Sequence, residues 1–513
     1  MNIRPHIRNL IIEIICLLFV LLFVYAATSK LMDFQKFKIE LGQSPLLSAF
    51  AEWFAVLVPT VEFIICTLLI IPKFRIIGLI SAYGLMVMFT AYIFIILNYT
   101  SFVPCSCGGV LEKLDWKSHM IFNLVFVFLG FLGILLYNRR TKMNSSLMKN
   151  KSLVVILSTV TISGIGIVST LFMLSENIVH FHNRLIRRFP QHPILKTIDL
   201  DLKMNSYYIA GLDNSHIYLG NYSAQLSMMV LDSKLVQTKE KMIDIDRKDI
   251  PFRGVKILVQ PPYFFVVDGT VPCIFRGQVY DWKARMIHQG GEYFGNALAI
   301  DSSKIAVSTT SKLNGDTVLG LIEMGETNKT ILNPDILQKQ VDGVFDTDGQ
   351  LAYSSHMKNI IYLYTYRNEF TLANTELKIN YRGNTLDTIS KAQLQIAKDK
   401  KRHQRTFAAP PLYVNKSSAV YNNLLFVNSA IPGKYEDDRV WKSASIIDIY
   451  DLEKRSYVLS FYVYNINGKK MKSFAVQNDK LYVLLGDYII QYHLDSQITS
   501  NYNNSVTNNL LAK

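Results

Sequence analysis

Five apolar runs within the first 175 residues constrain this chain more than any other feature. They lie at about Asn9 to Ser29, Phe50 to Ile71, Ile76 to Leu97, His119 to Tyr137 and Leu153 to Leu174. Each is long enough to cross a hydrocarbon layer of roughly 30 Å as a helix, and a helix in lipid satisfies its own backbone polar groups. The first run is followed by Lys30-Leu31-Met32-Asp33-Phe34 and not by a small-residue cleavage site, so it is expected to remain as a spanning helix. With 513 residues the chain is too long for one ordinary domain, and a membrane part followed by a soluble part is expected.

Basic residues in short loops set orientation. Arg4 and Arg8 precede the first run, Lys73 and Arg75 lie between the second and third, and Arg139, Arg140, Lys142, Lys149 and Lys151 lie between the fourth and fifth. All three sites predict a cytoplasmic N-terminus in a bacterial inner membrane, with the loops after the first and third runs, and everything after Leu174, in the periplasm. The net charge of +14 is then a topology signal. Membrane lipid is the expected partner, and nucleic acid is not.

The cysteines are Cys16, Cys66, Cys105, Cys107 and Cys273, and no spacing among them matches a zinc site. Only Cys105 and Cys107 are natural partners, within Pro104-Cys105-Ser106-Cys107-Gly108-Gly109 on the oxidising side. A Cys-x-Cys pair closes only a very small disulfide ring, and a strained, exposed disulfide readily oxidises other thiols. An inert loop disulfide fits the spacing equally well. Two acids fall within the runs. Glu13 is close enough to the cytoplasmic end to be solvated, whereas Glu62 lies near the middle of the second run, three residues after Pro59. A proton or cofactor site between helices and a protonated carboxyl bonded to a neighbouring helix both account for it.

Ser29-Lys30-Leu31 with Phe37, Pro59-x-x-Glu62, Pro104-Cys105-x-Cys107-Gly108, and Trp116 with Asn123 occur in an order and spacing that resembles the MauE family, related to DoxX-like four-helix membrane proteins. The resemblance covers residues 1 to about 140. It implies a four-helix membrane domain associated with methylamine utilisation and with disulfide formation in a periplasmic dehydrogenase subunit, alongside a thioredoxin-like partner. Carried over, Cys105 and Cys107 would be the exchanging thiols and Glu62 a cofactor-binding residue. A periplasmic thiol protein or a thioredoxin-like protein is the implied partner. The residues do not identify an electron acceptor; a membrane quinone is the candidate.

Residues 141–175 read as a basic connector and fifth spanning helix, and 176–195 as a juxtamembrane segment. From Lys196 the apolar runs shorten to strand length and end in turn residues. Runs beginning at His216, Tyr263, Lys304, Leu351, Leu424 and Leu481 recur at about the length of a four-stranded blade, which predicts an all-β, six-bladed propeller over residues 196–495. A strand at about Ile198 to Ile209 is expected to close the ring. The long interval between Leu351 and Leu424, with Arg382-Gly383-Asn384-Thr385 and the basic run Lys398 to Arg405, reads as an insertion on one face. No phosphate loop, zinc signature or nucleophile elbow occurs there. Cys273 reads as a buried thiol, and the Asn- and Ser-rich tail 496–513 as disordered. Two functional classes follow. One is a redox membrane protein whose propeller binds a partner or ligand, and the other is a non-enzymatic binding or sensing propeller anchored by inert helices.

Overall fold

The computed structural model describes residues 5–44, 46–99, 116–141, 150–181, 185–399 and 404–503. They fall into two compact units, residues 1–191 with 434–436, and residues 192–433 with 437–513.

The first unit is helical: α1 (Pro5–Met32), α2 (Phe34–Gln43), α3 (Ala51–Ile70), α4 (Arg75–Tyr99), α5 (Trp116–Thr141) and α6 (Asn150–Phe181). All but α2 contain a stretch long and apolar enough to cross a membrane. On α1 the buried residues Ile12, Ile15, Cys16, Phe19, Phe23 and Ala27 form one stripe, while Leu17 and Leu21 on the other side are also apolar yet exposed. A helix apolar on all sides but packed on only one suits lipid as solvent. Within the unit α1 packs on α3 and α5, and α4 on α3, α5 and α6. The turn between α3 and α4 is tight because Gly78 has no side chain; a Cβ there would lie 2.9 Å from the Leu69 backbone nitrogen.

Helix α2 was not legible as a separate element. It is started by Asp33, whose carboxylate accepts a hydrogen bond from the Lys36 N–H at 3.3 Å, and it buries Phe37 and Leu41. Helix α6 continues past the expected end at Leu174 to Phe181.

The second unit is a six-bladed β-propeller. Its blades span residues 207–242, 255–289 (with Asp244–Ile245 added at the edge), 294–333, 349–384, 415–464 and 471–494. The first strand of each blade packs beside the first strand of the next, and that of the sixth packs beside that of the first, which closes the ring. Short β runs form blades because each strand alternates against both neighbours. Asn359–Tyr364, with both faces covered, is buried throughout.

Three expectations need correction. The closing strand is Ile194–Asp201, which pairs antiparallel with Tyr488–Leu494, while Tyr207 already begins the first blade. The break comes at Lys203, whose φ is +61° and whose N–H bonds the Asp201 carboxylate. Arg382, Gly383 and Asn384 belong to the outer strand Ile379–Asn384 of the fourth blade rather than to the insertion, with Arg382 opposite Thr371. The insertion itself contains a hairpin of Ile396–Asp399 and Gln404–Phe407, whose connecting residues 400–403 lie outside the described residues. Finally, Ser496 to Asn503 is ordered. Asp495 caps a helical turn at Ser496–Thr499, Ile498 is fully buried, and the side chains of Asn422 and Asn423 accept from the Asn503 N–H. Composition alone favoured disorder because it does not register a cap and an anchor.

Candidate functional site in the helical domain

The buried face of α3 reads Ala51, Ala55, Pro59, Glu62, Cys66 and Leu69. These positions recur at helical spacing, so Glu62 is directed into the unit and not toward lipid. Its residue exposure is 0%. Pro59 one turn earlier lacks an N–H and interrupts the hydrogen-bond ladder beside it.

The partner of Glu62 is Lys30, from the last turn of α1, whose Nζ lies 2.5 Å from Oε1. The ammonium also lies 5.8 Å from the ring centroid of Phe37 on α2 and 5.9 Å from that of Phe89 on α4. Four helices thus supply one charged pair in an aromatic box, where both Coulomb attraction and ring quadrupoles favour the cation. Glu62 Oε2 is buried and has no hydrogen-bond partner among the described residues. A desolvated carboxylate with half of its acceptor capacity unused is costly as a purely structural element. It retains the ability to take a proton or to accept a bond from a bound group.

Sequence reasoning placed Glu62 in a span but did not pair it with Lys30. The available signal was a lysine at the end of one apolar run and an acid within the next antiparallel run, since a lysine side chain reaches back along its own helix. Cys105 and Cys107 lie outside the described residues, between the end of α4 and the start of α5. Cys16, Cys66 and Cys273 are all buried and unpaired. Cys66 contacts the Val20 carbonyl at 3.8 Å, a packing position between α3 and α1. In the propeller, burial and then the nearby Asp268 charge push the Cys273 thiol up to about 11. No group of His, Cys, Asp and Glu suited to a metal ion occurs among the described residues.

Comparison with known families finds a likeness for this bundle. Residues 8–136 match the family described as methylamine utilisation protein MauE. Over these residues the helical part is similar to that family. The match begins in α1, ends in α5 and contains Lys30, Glu62, Cys105 and Cys107. Helix α6 and the propeller lie beyond the matched residues. No curated protein matches the chain. Among solved structures, a DUF4221-family protein from Bacteroides vulgatus is 13% identical, with a TM-score of 0.38, covering 60% of this chain and 99% of that one. A catalytically inactive virginiamycin B lyase from Staphylococcus aureus, solved with quinupristin, is 10% identical with a TM-score of 0.36, covering 59% and 100%. The propeller assignment rests on the strand order and ring closure described above, not on these distant likenesses.

Proposed function

We propose that this chain is a multi-pass inner-membrane thiol–disulfide exchange protein in which Cys105 and Cys107 carry the chemistry on the periplasmic side and the propeller binds a partner or ligand. The observation that carries this reading is the distribution of thiols. Three of the five cysteines are buried and unpaired, and the remaining two sit one residue apart inside the matched residues. An incoming thiolate attacks one sulfur of the loop disulfide, and the other sulfur leaves as thiolate. A second thiol of the substrate then resolves the mixed disulfide, leaving substrate oxidised and the loop reduced. Reoxidation of the loop must release two electrons and two protons, and Lys30–Glu62 is assigned to that half of the cycle. The MauE family name favours a role in methylamine-linked disulfide formation.

Mass-tagged maleimide labelling of the purified protein, with and without prior reduction by a mild dithiol, tests the assignment. Two thiols should become taggable on reduction, and Cys105→Ser with Cys107→Ser should bring oxidation of a model dithiol to background. A loop pair that the dithiol cannot open would instead favour an anchored binding protein. Orientation is tested separately. Phosphatase fused after Leu174 should be active and fused after Arg140 inactive, and the reverse would remove the periplasmic placement.

A further inference from the structure

Beside the charged pair, the helical unit contains a second feature, to which the first thiol-exchange step gives no role. Helices α5 and α6 lie on either side of α4, and between the three is a cavity of about 760 Å³, within the size range of small-molecule sites. Close contact at Gly84 and Gly164 brings α6 onto α4; a Cβ on Gly164 would lie 3.9 Å from the Gly84 carbonyl oxygen. The lining runs along α4 from Tyr83 to Tyr99, about 24 Å at 1.5 Å per residue, so the cavity is long and narrow. Its two ends differ. One is aromatic, with Phe94, Tyr99 and Phe172, and the ring centroids of Phe94 and Tyr99 are 6.2 Å apart. At the other, the Tyr83 hydroxyl and Thr161 Oγ1 are 2.8 Å apart in otherwise apolar surroundings.

We propose that this groove is the binding site of a quinone with an isoprenoid tail, which accepts the electrons of the reduced loop. The proposal rests on the thiol-exchange reading and adds the acceptor and its place. A ligand with a flat ring and a long hydrocarbon chain matches an aromatic end that opens into a 24 Å apolar channel, a length estimated at about 1.5 Å per helical residue. The aromatic end is also the end at which α4 leads into the chain segment bearing the thiols. Cys105 follows Tyr99 by six residues, and six extended residues span at most about 21 Å. In the reaction the two loop thiols lose two S–H bonds and gain one S–S bond. Their two electrons and two protons reduce the two quinone carbonyls to quinol hydroxyls. Quinone is the bilayer-soluble two-electron oxidant that closes this balance, as it does where thiol oxidation is drained into a membrane pool.

The test uses the full-length chain in nanodiscs and a photoreactive azidoquinone, with unlabelled decylquinone as competitor. Label is expected in peptides 83–99, 120–127 and 161–173, to fall at least fivefold with competitor, and to persist in the Cys105→Ser, Cys107→Ser variant, because binding does not need the thiols. Ala91→Trp, which fills the groove, should reduce labelling and quinone-dependent loop reoxidation at least fivefold while leaving the first thiol exchange unchanged. Ile162→Trp, on the exposed side of α6, should change neither. Label spread over lipid-facing helices without competition, or a groove that retains only phospholipid acyl chains, would overturn the proposal. If the cysteine variant loses exchange while label avoids the groove, only the groove assignment fails. If that variant still exchanges thiols, the underlying function fails whatever the label shows.

Discussion

The two units treat a buried carboxylate in opposite ways. In the propeller, Asp268 is fully buried, yet Oδ2 accepts from the N–H groups of Arg253 and Gly254 at 2.7 and 2.8 Å, while Oδ1 accepts from Thr270 N–H, Thr270 Oγ1 and Val271 N–H at 2.9, 2.8 and 3.1 Å. Burial pushes this carboxyl up, but the donors outweigh it and hold it below the usual aspartate range. Asp346 is gripped likewise by the N–H groups of Gln340, Val341, Asp342 and Gly343. In the helical unit Glu62 has, among the described residues, one cationic partner and one unused oxygen. Saturated carboxylates hold loops in place, whereas an unsaturated one packed between helices retains chemical capacity.

The largest effect should come from breaking a saturated site. Asp268→Ala takes the shared acceptor away from five donors of two loops, and it is expected to destabilise the propeller by about 4 kcal/mol. The urea midpoint of the far-ultraviolet β signal, measured on the full chain in detergent, reads this directly. A loss below about 1 kcal/mol would mean that water replaces the carboxylate without penalty, and the contrast with Glu62 would lose its basis.

A somewhat smaller loss, about 3 kcal/mol, is expected for Lys30→Met, which leaves the Glu62 charge without its cation. The double variant Lys30→Met, Glu62→Met separates structure from function. Replacing both members of a buried pair by apolar residues is often neutral for stability, so the helical melting transition should return to within about 1 kcal/mol of the parent. Loop reoxidation, followed by stopped flow, should nevertheless remain at least tenfold slow. Recovery of reoxidation together with stability would make the pair a structural bond only.

Much of this architecture was legible because the two solvents impose different periods on the sequence. Long unbroken apolar runs read as spanning helices, and the recurrence from His216 to Leu481 read as six blades. Features set by single side chains were not legible. Asp33 starts α2 and Asp495 starts the final helical turn through one carboxylate each, and neither changes local composition enough to register. The candidate site was half legible for a related reason. An acid within a span is conspicuous, but its partner is chosen by tertiary packing that places Lys30, Phe37 and Phe89 around it.

The smallest effect is expected at Cys273, and it tests whether thiol chemistry belongs to the helical unit alone. The residue is 1% exposed and opposes Asp268 across a strand pair of the second blade. With its thiol pushed up to about 11 by burial and then by Asp268, only about one molecule in ten thousand would carry a thiolate there at pH 7. Exchange requires a thiolate that another sulfur can reach, and Cys273 offers neither ionisation nor access. Cys273→Ala removes one well-packed sulfur, so a destabilisation of about 1 kcal/mol is expected, with the rate of model-dithiol oxidation unchanged within error. The two readouts must be taken on the same preparation, because a partly unfolded propeller would expose new surface and confuse the rate. A twofold or greater fall in oxidation at unchanged stability would bring the propeller into the thiol cycle and break the division of labour between the two units.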